Sequence, residues 1–397
     1  MSTFLLTFFL IYGSAHAYAF AKARAALGFG TATTLWVVPL LLAATCAPVV
    51  THLLERNGME GAARIAAHAG YAWMGALFLF VSLSLLSDLV SLLLRAGAAI
   101  AGNGYAWAKP ANGRRMFLFL TCLSVALAAY SVFEARRIGV ERIRYETDRL
   151  PASVPRVRIV QITDVHLGLV HRNPKAKAIA ERVRAERPDI LVSTGDFVDG
   201  RIDHVEGLAE IFREIPAPRG KFAILGNHEY YAGLPQSLSF TRRAGFTVLR
   251  GGSVTVDDAV RFAGVDDPAS GGFGAPKGPA EAELLGAGPP DRFTVLLKHR
   301  PAADPASYGR FDLQLSGHTH HGQIFPFRLA TRLAYPLLAG DHPLPGGGTL
   351  HVSRGTGTWG PPMRFLAPPE ITVIDIERVP ASGSARRFPF DSGRDFH

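Results

Sequence analysis

Up to about residue 135 the chain is dominated by Leu, Ala, Phe and Val with few charges, and beyond that short apolar runs alternate with polar, Gly- and Pro-containing connections. Four apolar stretches mark the first part, at about 3–20, 32–54, 69–94 and 116–134, with polar or charged linkers between them. Each approaches the ~20 residues that an α-helix needs to cross a hydrocarbon core. The pattern therefore predicts an all-α transmembrane region of four helices over residues 1–135. Ala15, His16 and Ala17 resemble a signal-peptide cleavage site, but the Met-Ser-Thr start lacks a basic flank, so the first helix is expected to be retained. Asp88 stands in the third stretch. An acid at membrane depth is a functional candidate, although the nearby Arg95 places it towards the headgroups. Four crossings would set Lys22, Arg24, Arg95, Lys109, Arg114 and Arg115 against Arg56 and Arg64. Arg136, Arg137, Arg142 and Arg144 even that count, and the basic flank after the first helix tips the expectation towards an extracytoplasmic domain.

Beyond Arg156 eight runs read as strands: RVRIVQIT (156–163), DILVST (189–194), KFAIL (221–225), VRFAGV (260–265), RFTVLL (292–297), FDLQLS (311–316), TLHVS (349–353) and EITVIDI (370–376). They are too short for helices and mostly continuous in apolar character, as strands buried on both faces are. PKAKAIAERVRAERP, between the first two, predicts a helix. The expectation is an α/β domain over residues 156–377, with 136–155 as a linker. DDPASGGFGAPKGP (266–279) reads as a surface loop, and the basic, Gly/Ser-containing 378–397 as a disordered tail.

Composition adds limits. The net charge of +9 comes without a long Lys/Arg run interleaved with aromatics, so nucleic acid is disfavoured as a partner. Cys46 and Cys122 are the two cysteines, both in apolar runs, which excludes a disulfide framework or a thiolate metal site.

The residues suited to chemistry stand directly after the strands. Asp164-Val165-His166 comes after the first, Gly195-Asp196-Phe197-Val198-Asp199 after the second, and Gly226-Asn227-His228-Glu229 after the third. Lys298-His299 comes after the fifth and Gly317-His318-Thr319-His320-His321 after the sixth. Strand ends in α/β sheets aim loop residues at one crevice. The Asp/Asn/His mixture suits borderline divalent cations such as Mn²⁺, Fe²⁺ or Zn²⁺. There are too many donors for one ion, and two cations about 3.5–4 Å apart form the arrangement used to attack phosphorus.

D-x-H, GD, GNH, a lone His after a strand and GH-x-H, in that order over residues 156–376, resemble the calcineurin-like metallophosphoesterases. LLKHRP, GHTHHGQ and SRGTGTWGPPMRF resemble their membrane-associated YkuE/YaeI-like branch, some of whose members are similar to UDP-2,3-diacylglucosamine hydrolases. The resemblance implies two packed mixed β-sheets flanked by helices and a cofactor of two divalent metal ions (Mn, Fe or Zn). It implies that Asp164, His166 and His320 bind one ion, that Asn227, His299 and His318 bind the other, and that Asp196 bridges them. His228 would assist the leaving group. Arg300, Tyr230, Tyr231 and Glu229 flank these positions and either contact substrate or pack. Asp199 reads better as a loop carboxylate capping backbone than as a ligand, and His321 as facing away from the ions or towards substrate. The apolar segment 324–340 either meets a bilayer or acyl chains, or folds as a flap over the core.

The expected activity is hydrolysis of a phosphodiester or pyrophosphate bond by a multi-pass membrane protein, with a phosphoester substrate that is lipid-linked, such as a UDP-diacylglucosamine-like molecule. The alternatives are a phosphomonoesterase or cyclic nucleotide phosphodiesterase, and a metal-binding sensor or scaffold without turnover. A cytoplasmic UDP-lipid conflicts with an extracytoplasmic domain, and neither is fixed by the residues.

Overall fold

The computed structural model describes residues 2–101, 113–200, 207–274, 278–286 and 291–379. Lys109 and nearly all of the expected tail lie outside them. The chain divides into two compact units, Met1–Phe133 with Gly360–Met363, and Glu134–Trp359 with Arg364–His397.

The first unit is helical: α1 (Ser2–Leu27), α2 (Thr31–Arg56), α3 (Glu60–Ile100) and α4 (Gly113–Glu134). Four helices form as the apolar stretches predict. Among the described residues three of them, α2, α3 and α4, are long and apolar enough to cross a bilayer, against the four crossings expected. The second half of α1 carries Ser14, His16, Tyr18, Lys22 and Arg24. Asp88 on α3 accepts a hydrogen bond from Tyr18 Oη at 2.8 Å and pairs with Lys22, so its charge is matched by α1.

The second unit holds two six-stranded sheets. Its strands are β1 (Gly139–Thr147), β2 (Arg156–Ile162), β3 (Ile190–Thr194), β4 (Lys221–Ile224), β5 (Thr247–Val248) and β6 (Gly252–Val256), then β7 (Val260–Gly264), β8 (Phe293–Leu297), β9 (Leu313–Ser316), β10 (Gly340–Pro343), β11 (Thr349–Val352) and β12 (Glu370–Arg378). One sheet runs β1-β12-β2-β3-β4-β5 and the other β10-β11-β9-β8-β7-β6. Both are mixed: β2, β3, β4 and β5 are parallel and β12 is antiparallel to β2, while β7, β8, β9 and β11 are parallel between two antiparallel edges.

Strand alternation sends alternate side chains to opposite faces. Val157, Ile159, Ile190, Val192, Ile374 and Ile376 thus meet Val260, Phe262, Val295, Leu297, Leu313 and Leu315 in the core between the sheets. Val160, Ile162, Leu191 and Ala223 face outward, under α5 (Asn173–Ala185) and α6 (Leu208–Arg213), through Ala176, Ile179, Val183 and Phe212. The short helices α7 (Asn227–Ala232), α8 (Leu234–Arg243) and α9 (Glu281–Leu285) come next, and α10 (Phe327–Ala334) lies beyond β9.

All eight predicted runs and the helix between the first two are present. The expected linker is a correction: residues 139–147 form β1, which pairs in parallel with β12 along its whole length. Its sequence GVERIRYET intersperses charges, as edge strands do. Within the expected surface loop, Pro268–Phe273 form a 3₁₀ turn that Asp267 caps from a buried position.

Candidate metal centre

Five strand ends, three neighbours in one sheet and two in the other, deliver the predicted residues: β2 leads into Asp164 and His166, β3 into Asp196, β4 into Asn227 and His228, β8 into His299, and β9 into His318 and His320. One ligand-capable atom from each of Asp164, His166 and His320 lies within 4.8 Å of the others, and the same holds for Asp196, His299 and His318, and for His166, Asp196 and His228. The six Asp and His residues predicted as ligands therefore converge, together with His228. Asn227 is buried with its Oδ1 unpartnered among protein atoms. Asp196 Oδ1, beside it, accepts the His228 N–H at 2.9 Å.

The backbone shows how this crowding is reached. Asp164, His166, Asp196, His318 and His320 all have left-handed φ, between 47° and 70°. Non-glycine residues there carry strain, which gathers at functional sites. At Gly317 a Cβ would lie 2.2 Å from Asp164 Oδ2, so only glycine lets the next amide, His318 N–H, reach that carboxylate at 2.9 Å.

Imidazole nitrogens face one another in two pairs. His166 Nε2 lies 3.1 Å from His320 Nε2, and His318 Nδ1 lies 3.1 Å from His299 Nε2. Two nitrogens bound to one tetrahedral cation at about 2.0–2.1 Å stand about 3.3 Å apart, so both pairs fit a shared ion. Asp196 Oδ2 is 3.8 Å from His166 Nε2 and 3.2 Å from His299 Nε2, between the pairs. Asp164 Oδ1 approaches His320 Nε2 at 3.4 Å.

Outer contacts fix the rings. His299 Nδ1–H donates to the Thr194 carbonyl at 2.8 Å, which leaves the Nε2 lone pair for the centre. His318 Nε2 is 2.9 Å from Tyr335 Oη. Arg364, fully buried, lies with Nη2 3.0 Å from His320 Nδ1 and donates through Nη1 to the His320 carbonyl.

The electrostatics are those of a buried anionic site. Burial opposes ionisation of Asp196, but His299, His228 and His166 hold its carboxyl well below the ordinary range. Asp164 is raised to about 6 by burial and by Asp196, against His299. Burial keeps His166 neutral, at about 4 with help from His228, and His318 neutral, at about 3 with help from His299. His320 is pushed well down by burial and Arg364. Neutral imidazole is the form that ligates metal. Burial would also lower His299, yet Asp196 and Asp164 outweigh it and lift that ring to about 10. The proton of His299 balances the carboxylates, and a cation held there would take over that balance.

His228 is set apart from the facing pairs. Its Nδ1 is 3.0 Å from Asp199 Oδ1, and its ring meets His166 edge-on at 4.6 Å. Burial lowers it, but Asp196 and Asp199 prevail and hold it at about 9. Asp199 thus pairs with the ring of His228. Glu229 is buried, not substrate-facing: it accepts from the amides of Asp196, Phe197, Val198 and Gly226, tying the second ligand loop to the third.

Two of the three tentative substrate contacts are corrected. Tyr230 is buried in the fold, and its neighbour Tyr231 is the exposed ring, 5.4 Å from His228. Arg300 spends its fork on buried Asp267, at 2.7 and 2.9 Å, and its remaining Nη1 reaches Tyr335 Oη at 3.4 Å. His321 joins none of the clusters; the charged groups it faces are Arg328, Arg354 and Arg364. Arg364 carries no recognisable signal beyond the motif that contains it, because burial of a lone Arg in a Gly/Pro-rich loop is set by distant contacts.

Comparison with known proteins agrees with this geometry. A family model described as calcineurin-like phosphoesterase matches residues 157–322. An uncharacterized metallophosphoesterase of Aquifex aeolicus is 41% identical over 64% of this chain and 98% of its own length. The uncharacterized metallophosphoesterase YkuE of Bacillus subtilis is 30% identical over 72% of this chain and 93% of its own. A transmembrane protein with metallophosphoesterase domain from Danio rerio is 28% identical over 76% of this chain and 70% of its own. Carboxylate, amide and imidazole donors gathered at the ends of five strands in two mixed sheets, with relatives matched along nearly their whole length, mean that this chain belongs to the calcineurin-like metallophosphoesterases, metal-dependent hydrolases of phosphoric esters.

Proposed function

We propose that this is a membrane-anchored phosphoesterase with two divalent cations, hydrolysing a phosphodiester or pyrophosphate bond in a lipid-linked substrate. The observation that carries the two-cation reading is Asp196 Oδ2 between two facing pairs of imidazoles. Asp164, His166 and His320 would hold one ion, Asn227, His299 and His318 the other, with Asp196 shared. Their nitrogen and oxygen donors suit Mn²⁺, Fe²⁺ or Zn²⁺. When bound, such a pair supplies a nucleophile from water and draws charge from the phosphoryl oxygens.

The chain's own contribution centres on His228. Asp199 engages Nδ1, so Nε2–H is the proton available to a leaving group. In hydrolysis a water oxygen, losing a proton to solvent from which His228 is later reprotonated, forms the new bond to phosphorus and the bond to the leaving oxygen breaks. That oxygen takes the His228 proton as charge develops on it. Removing the ring by His228→Ala is expected to lower kcat by about 10²–10⁴-fold, with a smaller loss on substrates whose leaving group is a good nitrophenolate. Asp199 stabilises the charged ring, so Asp199→Asn should move the alkaline limb of the kcat profile to lower pH, by about one to three units. An unmoved limb would remove His228 from the acid role.

The lipid-linked part is supported by the bilayer-length helices α2, α3 and α4 and by the exposed amphipathic helix α10. It is tested with purified full-length protein given aryl phosphodiester, aryl monoester and acyl-chain-bearing phosphodiester or pyrophosphate substrates. Preference for the monoester would favour the phosphomonoesterase reading instead.

A further inference from the structure

Among the described residues of the phosphoesterase unit, seven large apolar side chains are exposed: Tyr231, Phe273, Phe327, Leu329, Leu333, Trp359 and Leu366. Such residues singly are ordinary on a surface, but an apolar patch marks contact with a partner or membrane. Six of the seven stand beside the metal centre. The Tyr231 and Trp359 rings lie 5.4 and 5.8 Å from the ring of His228, and Phe273 packs on Tyr231 at 5.7 Å. Gln323, just after the last ligand turn, pins Trp359 by donating to its carbonyl at 2.8 Å and accepting its N–H at 2.9 Å. Phe327, Leu329 and Leu333 belong to α10, which starts four residues later and packs its Arg328 backbone on Gly322, where a Cβ would come within 2.3 Å. One residue past its end, Tyr335 reaches His318.

No residue of α10 is buried, and Leu333 is 88% exposed. At about 100° per residue, Phe327, Leu329, Ala330, Leu333 and Ala334 fall on one side and Arg328, Thr331 and Arg332 on the other. An apolar face flanked by arginines is the pattern of a helix lying in a membrane interface, with guanidinium groups at anionic headgroups. The chain itself supplies the bilayer. Its bilayer-length helix α4 ends at Glu134, and only residues 135–138 separate it from β1.

We propose that α10, with the Tyr231–Phe273–Trp359 rim, docks on an anionic phospholipid bilayer and opens the metal centre to substrate held in that bilayer. The docking stands on its own, and its consequence for turnover rests on the phosphoesterase reading above.

The test uses the full chain in vesicles, with Cys46 and Cys122 replaced by Ala and an environment-sensitive fluorophore on Leu333→Cys. The control is Asp258→Cys, in the exposed turn between β6 and β7 at the opposite end of the strands from the ligands. Nitroxide-labelled acyl chains should quench the label at 333 several-fold more than at 258 when phosphatidylglycerol is present. Pure phosphatidylcholine, or Arg328→Glu with Arg332→Glu, should reduce that difference. Quenching at 333 no greater than at 258, or indifferent to phosphatidylglycerol, overturns the proposal. Leu329→Asp with Leu333→Asp should lower turnover of an acyl-chain-bearing aryl phosphodiester in the vesicles by about tenfold relative to a soluble one. Equal loss on both contradicts the substrate-delivery role. Absence of any metal-dependent turnover in the unsubstituted protein would count against the phosphoesterase reading instead, and leaves the quenching result decisive for docking.

Discussion

An Asp196→Ala protein is expected to lose turnover by about a thousandfold or more, the scale reached when groups that stabilise transition-state charge are removed. No other single side chain serves so many parts of the site. Its Oδ2 stands between His166 and His299, and its Oδ1 receives the His228 amide. Its charge also raises His228 and His299. On the two-cation reading proposed above, the substitution would disturb both cation positions and the proton donor together. Asp164→Ala removes a donor from one cluster, beside His320, and should release one cation while retaining the other. Circular dichroism separates loss of chemistry from loss of fold, and an Asp196→Ala enzyme within tenfold of the unsubstituted one would contradict the shared role.

The second large effect is on stability. Arg364 is wholly buried and donates to the carbonyls of Gly357, Arg354, His320 and Ala367 at 2.6–3.2 Å. Burial lowers its pKa to about 10, against the pull of Asp164 and Glu370, and it stays charged at neutral pH. Arg364→Met would leave those carbonyls without a donor and the nearby carboxylates without a cation. Breaking a buried charged network costs about 3–5 kcal/mol, which for a unit of this size is a fall of about 6–20 °C in the melting temperature. Arg364→Lys offers three donors without the planar fork and should recover only part of the loss. By contrast Arg292→Met, in a pair with exposed Asp258 and Asp291, should not shift the melt measurably. Equal melts for the Arg364 and Arg292 variants would show the buried network to be unimportant.

The strands and ligands are legible in the sequence for the same reason. Central strands bury both faces, so Ile190 to Val192 or Val295 to Leu297 read as unbroken apolar runs, and donors placed directly after them must sit at strand ends. Edge strands leave no such trace. β1 resembles a linker because its charges face solvent, and β10 is four residues of Gly, Asp, His and Pro. The residues whose roles the motifs leave open, among them Asp199, Glu229 and Arg300, have those roles set by partners outside their own motif. Asp199 waits on His228, Glu229 on four amides, and Arg300 on Asp267. A motif tells which donors occur, and only the packed structure tells which are already engaged.

The most direct test of the account is the metal content of full-length protein purified without chelator and measured by elemental analysis alongside Asp196→Ala. About two divalent transition-metal ions per chain are expected, falling below one in the variant. A chain that carries no stoichiometric transition metal, or that keeps both ions without Asp196, would contradict it.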